Sequence, residues 1–391
     1  MPCFDSISLH GVWSWISDSS RAVIVDFVRR KLKVGGVLYV SYNTQAGWVT
    51  MLPLRDLLSE HAAVAGAADQ GTLARIDAAI AFAEQLFATM PLYAIANPLA
   101  VERLKALKGQ RRDYLAHEYF NRDWLPMSFS KMTQWLAPAG LDFACSAHYS
   151  DAIDALNLSA EQQRLLQEIT DAAFRETVRD LIVNQHFRCD YWVKGARKLT
   201  PQEQHQALRA HRLILVAPRA QVSLSFHGAQ GEIKMDEAVY RPILDRLAPH
   251  QAMTLGELEQ AVAGNGISLA QLTQAAMFLS GTGHLLAVQE EATALSARKH
   301  TRALNAHLID RSLGSAEIGH LASPITGGGV KVTRLQQLFL LARSQGHTGA
   351  EDCAQFVAHA LAPQIGLAEL TVQAHDFNNQ HWPIFQALHI D

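Results

Sequence analysis

Apolar Phe4, Ile7 and Leu9 mark FDSISL (4–9) as a short strand candidate, and VLYVSYN (37–43) is a β-branched and aromatic run, so both segments read as strands. Between them, SDSSRAVIVDFVRRKLK (17–33) has Ser and Asp caps, an apolar stripe at Val23, Val25, Phe27, Val28 and Leu32, and a basic last turn. Those are the start and stop signals of one amphipathic helix, which Gly35-Gly36 is expected to end. Strand, helix, strand is a βαβ unit, so the two strands should lie parallel in a doubly wound sheet. From Met51 to about Leu136 the period turns helical, with windows at 52–65, 72–90, 98–108 and 129–137. The last of these follows the aromatic cluster AHEYFNRDWLPMSF (116–129). GLDFACSAH (140–148) and FRCDYWVKGARKL (187–199) read as strands, and 159–185 reads as one long helix capped by Ser159.

The pattern shifts around LTPQEQHQ (199–206), which is taken as a linker and domain boundary. Beyond it, VSLSF (222–226) and HLLAVQE (284–290) read as strands, and 235–248, 254–263 and 268–280 as three short helices, a winged-helix-like layout. Helices are expected at 297–309, 333–344 and 350–361, with a glycine-rich loop, SPITGGGV (323–330), before the second.

Composition narrows the function. The chain has 391 residues, 49% hydrophobic and 18% charged, which points to two or three folded domains rather than a disordered chain. Lys plus Arg number 34 against 37 Asp plus Glu, a net charge of −3 that offers no basic field to nucleic acid or an anionic membrane. The helix that would enter a DNA groove in a winged helix, 268–281, has no Lys or Arg. Cys3, Cys145, Cys189 and Cys353 are far apart, which excludes a disulfide framework and a structural zinc site and suits a reducing compartment. The uncharged stretch 85–101 is short and broken by Pro91 and Pro98, so no membrane span is expected and the protein reads as cytoplasmic.

Eighteen histidines raise the question of metal. The nearest pairs (His205 with His211, His300 with His307, His375 with His381) lack metal-ligand spacing, and no metal is expected. No G-x-S-x-G elbow occurs. GNGISL (264–269), GTGHLL (281–286) and the triple glycine at 327–329 lack the remaining features of a phosphate loop and read as turns or caps. What remains is the amino-terminal unit. Open α/β sheets bind ligands beyond the carboxyl ends of their strands. Two such ends are legible, His10-Gly11-Val12-Trp13 and Ser41-Tyr42-Asn43. On pattern alone, Trp13 and Trp15 either wall a ligand site or pack the following helix on the sheet.

FDSISLHGVWSWIS and KVGGVLYVSYNTQAGW (33–48) resemble the fourth strand, fourth helix and fifth strand of class I AdoMet-dependent methyltransferases. More narrowly, they resemble the bacterial group with a methyltransferase regulatory domain, which includes rickettsial lysine methyltransferases acting on outer-membrane protein. Residues 114–143 and 174–199 are similar to the regulatory region and its exit, and LASPITGGGV (321–330) to part of the C-terminal domain.

The resemblance implies an α/β fold in which a partial Rossmann-like methyltransferase sheet with a helical insertion precedes a mostly α, winged-helix-like C-terminal domain. It divides the chain into a partial core (1–50), a helical insertion (51–136), a regulatory region (98–185) overlapping the insertion and the sixth strand, a last core strand with linker (186–199) and the C-terminal domain (200–391). Strand 141–147 would be the sixth and 188–194 the antiparallel seventh in a sheet ordered 3-2-1-4-5-7-6.

By the same resemblance the cofactor is S-adenosyl-L-methionine, with His10, Gly11, Val12 and Trp13 at the donor. Trp15, Tyr42 and Asn43 line the acceptor, and catalytic roles fall to His10, Tyr42 and Asn43. The acceptor would be a protein side-chain amine such as lysine. The glycine-rich AdoMet loop of such enzymes is expected about 100 residues upstream of Met1. The chain would then be the C-terminal three quarters of an enzyme, with a homodimer or a partner covering its sheet edge. The alternative is a non-catalytic regulatory or interaction protein derived from such an enzyme.

Overall fold

The computed structural model describes residues 3–65, 71–228, 231–361 and 365–390. The chain divides into two compact units, Met1–Lys198 and Leu199–Asp391.

The first unit is built on a four-stranded sheet. Strand β1 (Phe4–Leu9) leads through a turn to helix α1 (Asp18–Lys31) and strand β2 (Leu32–Asn43). Ser17 caps α1 by accepting from the Ser20 amide, and Arg29, Arg30 and Lys31 occupy its last turn, where cations suit the helix dipole. The helix ends at Lys31, earlier than Gly35-Gly36 suggested. Leu32 is already extended and pairs with Phe4, and the glycines fall inside β2, where register slips between the Phe4 and Ser6 pairs and Gly35 takes a φ of 78°. They form a bulge, which left-handed glycine accommodates, rather than a helix stop.

Helices α2 (Leu52–Val64), α3 (Thr72–Ala88), α4 (Leu92–Ala96), α5 (Pro98–Leu107) and α6 (Arg112–Glu118) make up the insertion. Their inner faces bury Leu58, Ile76, Ala79, Ile80, Leu104 and Leu115 together with Trp48 and Trp124. Helix α7 (Phe129–Leu136), capped by Ser128, then returns to the sheet and leads into β3 (Leu141–Ser146).

The single helix expected over 159–185 is two, α8 (Ala160–Glu168) and α9 (Ala172–Ile182). Asp171 breaks it by accepting from the Phe174 amide at 2.7 Å, so the second helix starts on its own cap. Strand β4 (Phe187–Lys194) completes the sheet. The order is β1-β2-β4-β3, with β1 parallel to β2 and β4 antiparallel to both β2 and β3, the tail of the order expected from the resemblance. One sheet face carries Leu38, Val40, Tyr42 and Trp192, packed with Trp13, Val25, Val28, Phe129 and Met132.

In the second unit, the segment expected as linker is a helix, Pro201–Ala210, begun by a Thr200–Glu203 capping box. A three-stranded antiparallel sheet joins Arg212–Leu215 to Met253–Thr254 and Leu285–Ala287, and helices Glu237–Leu247, Leu255–Ala261 and Leu269–Gly281 take the three expected places. The glycine-rich loop 323–330 is a hairpin, His320–Ser323 paired with Gly328–Lys331. Helices Arg334–Ser344, Ala350–Leu361 and Leu367–Asp376 bury Leu338, Phe339, Val357 and Leu370. Among the described residues, no helix is long and apolar enough to cross a membrane.

Candidate functional site

β1, β2 and β3 run in one direction, so their carboxyl ends at Leu9, Asn43 and Ser146 share one edge, with the amino end of β4 between the last two. Gly11, at φ 64°, turns the chain after β1 and donates its amide to Ser41 Oγ at 2.8 Å. Nothing lies within 4 Å of a Cβ built there, so the glycine is required by conformation and leaves its surroundings open. His10 is exposed, and its Nδ1 lies 3.0 Å from the Tyr39 hydroxyl. Tyr39 in turn faces Tyr191, its direct cross-strand partner, with ring centroids 5.6 Å apart. Burial pushes the Tyr39 phenol well above its ordinary pKa.

The other expected site residues separate into two groups. Val12 is half-buried and accepts the Trp15 amide at 3.0 Å, closing a short helical turn at 13–15. Trp13 is fully enclosed, donates to Met127 Sδ at 3.4 Å and meets Trp135 edge-on. Tyr42 is also fully enclosed, and its hydroxyl donates to Asp190 Oδ2 at 2.9 Å. By contrast, Trp15 Nε1 and Asn43 Nδ2 are buried donors without a partner among the described residues. The Asn43 backbone amide donates to Ser14 Oγ at 2.8 Å, on the residue next to Trp15, whose ring stacks on His117 at 5.2 Å. Unpaired buried donors are costly, by about 1–3 kcal/mol each, and mark a place where an acceptor fits.

Behind this edge lies a charged cluster absent from the sequence reading. Arg188 donates through Nε to both oxygens of Asp190 (3.2 and 3.0 Å), through Nη1 to Asp180 Oδ1 (2.6 Å) and through Nη2 to Glu176 Oε2 (3.0 Å). It also lies 4.5 Å over the Phe129 ring. Burial opposes its charge, but Asp190, Tyr42 and Asp180 outweigh that and hold its pKa above the ordinary value. Burial raises the Asp190 pKa, and lifts that of Asp180 to about 6. A signal was present: Arg188 and Asp190 are two apart in an alternating strand, so both charges had to face one side of the sheet, beside Trp192. Among the described residues, no group of three or more His, Cys, Asp or Glu is placed to hold a metal ion.

Known proteins share this architecture. A family model described as a predicted methyltransferase regulatory domain matches residues 111–194, a span that includes α6 to α9 and strands β3 and β4. The uncharacterized protein sll1526 of Synechocystis is 40% identical over 364 residues, covering 93% of this chain and 70% of that protein. The uncharacterized protein RP789 of Rickettsia prowazekii is 27% identical over 191 residues, 47% of this chain and 33% of its own length. The solved structure of PKMT2 from Rickettsia typhi in complex with AdoHcy superposes with a TM-score of 0.63 at 18% identity, covering 100% of this chain and 82% of that one. At that identity the likeness is one of fold.

Proposed function

The chain belongs to the same family as sll1526 of Synechocystis and contains the methyltransferase regulatory domain, and from that premise we propose that it is a class I methyltransferase that uses S-adenosyl-L-methionine to methylate a protein side-chain amine, that of lysine. The main support is the carboxyl edge, where an open glycine turn adjoins two buried donors with no partner among the described residues, Trp15 Nε1 and Asn43 Nδ2. These residues fit a polar donor molecule on one side and a peptide acceptor on the other. That PKMT2 was solved with AdoHcy supports the same cofactor here.

When bound, the cofactor supplies an electrophilic methyl group on a sulfonium. The protein's part is alignment and exclusion of water. His10, Gly11 and Val12 form the turn that would hold the donor, with the backbone open at Gly11 and fixed by the Ser41 hydrogen bond. Trp13 sets that turn from below, its ring locked in the core. On the acceptor side, Asn43 and Trp15 offer donors to a peptide carbonyl, and the Trp15 ring suits an alkylated ammonium. Tyr42 acts from behind as a positioning residue, its hydroxyl committed to Asp190.

Calorimetric titration of the 391-residue chain with S-adenosyl-L-methionine tests this. Saturable micromolar binding is expected, with transfer of labelled methyl from the bound cofactor to lysine in a protein acceptor. Binding without transfer to any lysine favours the second reading, a non-catalytic interaction protein, which the complete enclosure of Trp13 and Tyr42 supports. A folded chain that does not bind overturns the reading that the residues named here hold the cofactor by themselves.

A further inference from the structure

A cavity of about 410 Å³ opens between β3, the amino end of β4, and helices α8 and α9, inside the span matched by the regulatory-domain model. Its size is that of a small-molecule site. Phe143, Leu166 and Val183 give it apolar walls, and its polar lining is uneven.

At one end stands Asp180, whose side chain is 6% exposed. Its Oδ1 accepts from Arg188, and its Oδ2 is buried without a partner among the described residues. A buried carboxylate oxygen left bare is expensive, so a hydrogen-bond donor belongs there. The charge count says which kind. Arg188 alone faces three carboxylates, Asp180, Asp190 and Glu176. The neighbouring Arg179 is already committed to Asp154 at 2.6 Å and to the Asp151 carbonyl. This end therefore has surplus negative charge, which a protonated amine satisfies in both charge and N–H donors.

Arg175 also lines the cavity, half-buried, with no ion-pair partner among the described residues. Asp180 follows it by five residues on α9, about 7.5 Å along the helix axis and about 140° around it, and both side chains line the cavity. An α-amino acid with a hydrogen bond of about 2.8 Å at each end spans a comparable distance. We propose that this cavity binds a small α-amino-acid-like zwitterion, its ammonium on Asp180 and its carboxylate on Arg175. The assignment does not depend on the methyl-transfer reading.

The test is thermal shift and calorimetry on the full chain with each of the standard L-α-amino acids, repeated on Arg175→Gln and Asp180→Asn. At least one amino acid should raise the melting temperature and bind saturably, and each substitution should weaken that binding tenfold or more. Arg175 is half-buried and unpaired, so Arg175→Gln leaves the fold intact and stays informative if Asp180→Asn unfolds. Failure of every amino acid to bind folded wild type, or binding unchanged in Arg175→Gln, overturns the proposal. S-adenosylhomocysteine has the same zwitterion at its tail. If it competes at this cavity and loses affinity in Arg175→Gln, the pocket belongs to the nucleoside cofactor, and the free-ligand assignment falls.

Discussion

The two units keep different things inside. Among the described residues, the first unit buries five charged side chains, Arg21, Arg55, Asp180, Arg188 and Asp190. The second buries none; its enclosed polar side chains are Asn305, Ser312, Ser323 and Gln337. Its core of Leu338, Phe339, Val357, Leu370 and Phe385 is of the kind that stability alone would choose. A buried ion cluster is a poor way to gain stability, because desolvation of each charge consumes most of the attraction. Its presence behind the candidate site, and its absence from the described residues of the second unit, separate a unit that holds charge in its interior from one shaped around apolar packing.

The contrast breaks most sharply at Arg188. Replacing it with Met leaves Asp180, Asp190 and Glu176 without their shared cation, at a cost of about 3–5 kcal/mol to the first unit. Tryptophan fluorescence in urea reads this selectively, since of the seven tryptophans only Trp382 lies in the second unit. The second unit should keep its own transition by circular dichroism, and loss of both together would mean that the units are not independent.

Leu338→Ala is the converse experiment. That side chain is fully buried, and its truncation should cost about 3 kcal/mol through lost transfer energy and the cavity left behind, leaving the fluorescence transition in place.

The smallest effect is in pH. Asp180 has a folded pKa of about 6 against an ordinary 3.8, so the folded state binds its proton more tightly than the unfolded state. Its ionisation therefore weakens the fold, and that penalty is relieved as pH falls from 6 toward 4. Over that window wild type should gain on Asp180→Asn by up to about 1 kcal/mol per pH unit. A difference that does not vary with pH would place the Asp180 pKa near that of an exposed carboxylate.

Much of the frame is readable in the sequence, because its signals are local. The apolar residues of FDSISL, the Ser17 cap and the basic end of α1 each act within a few residues, and β1, α1 and β2 follow from them. Reading fails where a distant partner decides. Gly35-Gly36 has the look of a helix stop, yet Leu32 is drawn into the sheet by Phe4, and the glycines become a bulge. The residues over 159–185 keep a helical period, but Asp171 caps a new helix in mid-run. At the site, the turn at Gly11 is visible as a glycine after a strand. The commitment of Tyr42 to Asp190 is not visible, because the phenol and its acceptor are 148 residues apart in the chain.

That separation also bears on how the protein comes into being. β2 pairs over Val37–Asn43 with β4, the last strand of its unit to be made. At a synthesis rate of about 5–20 residues per second, β2 waits on the order of 10 s for that neighbour. Until then Leu38 and Val40 lack the Trp192 side of their core, and one edge of β2 is unpaired. The helices of the insertion emerge during the same interval and can form from local contacts. The slow step of folding should be closure of the β2–β4 ladder, a long-range event, and the nascent chain is most exposed to aggregation just before it.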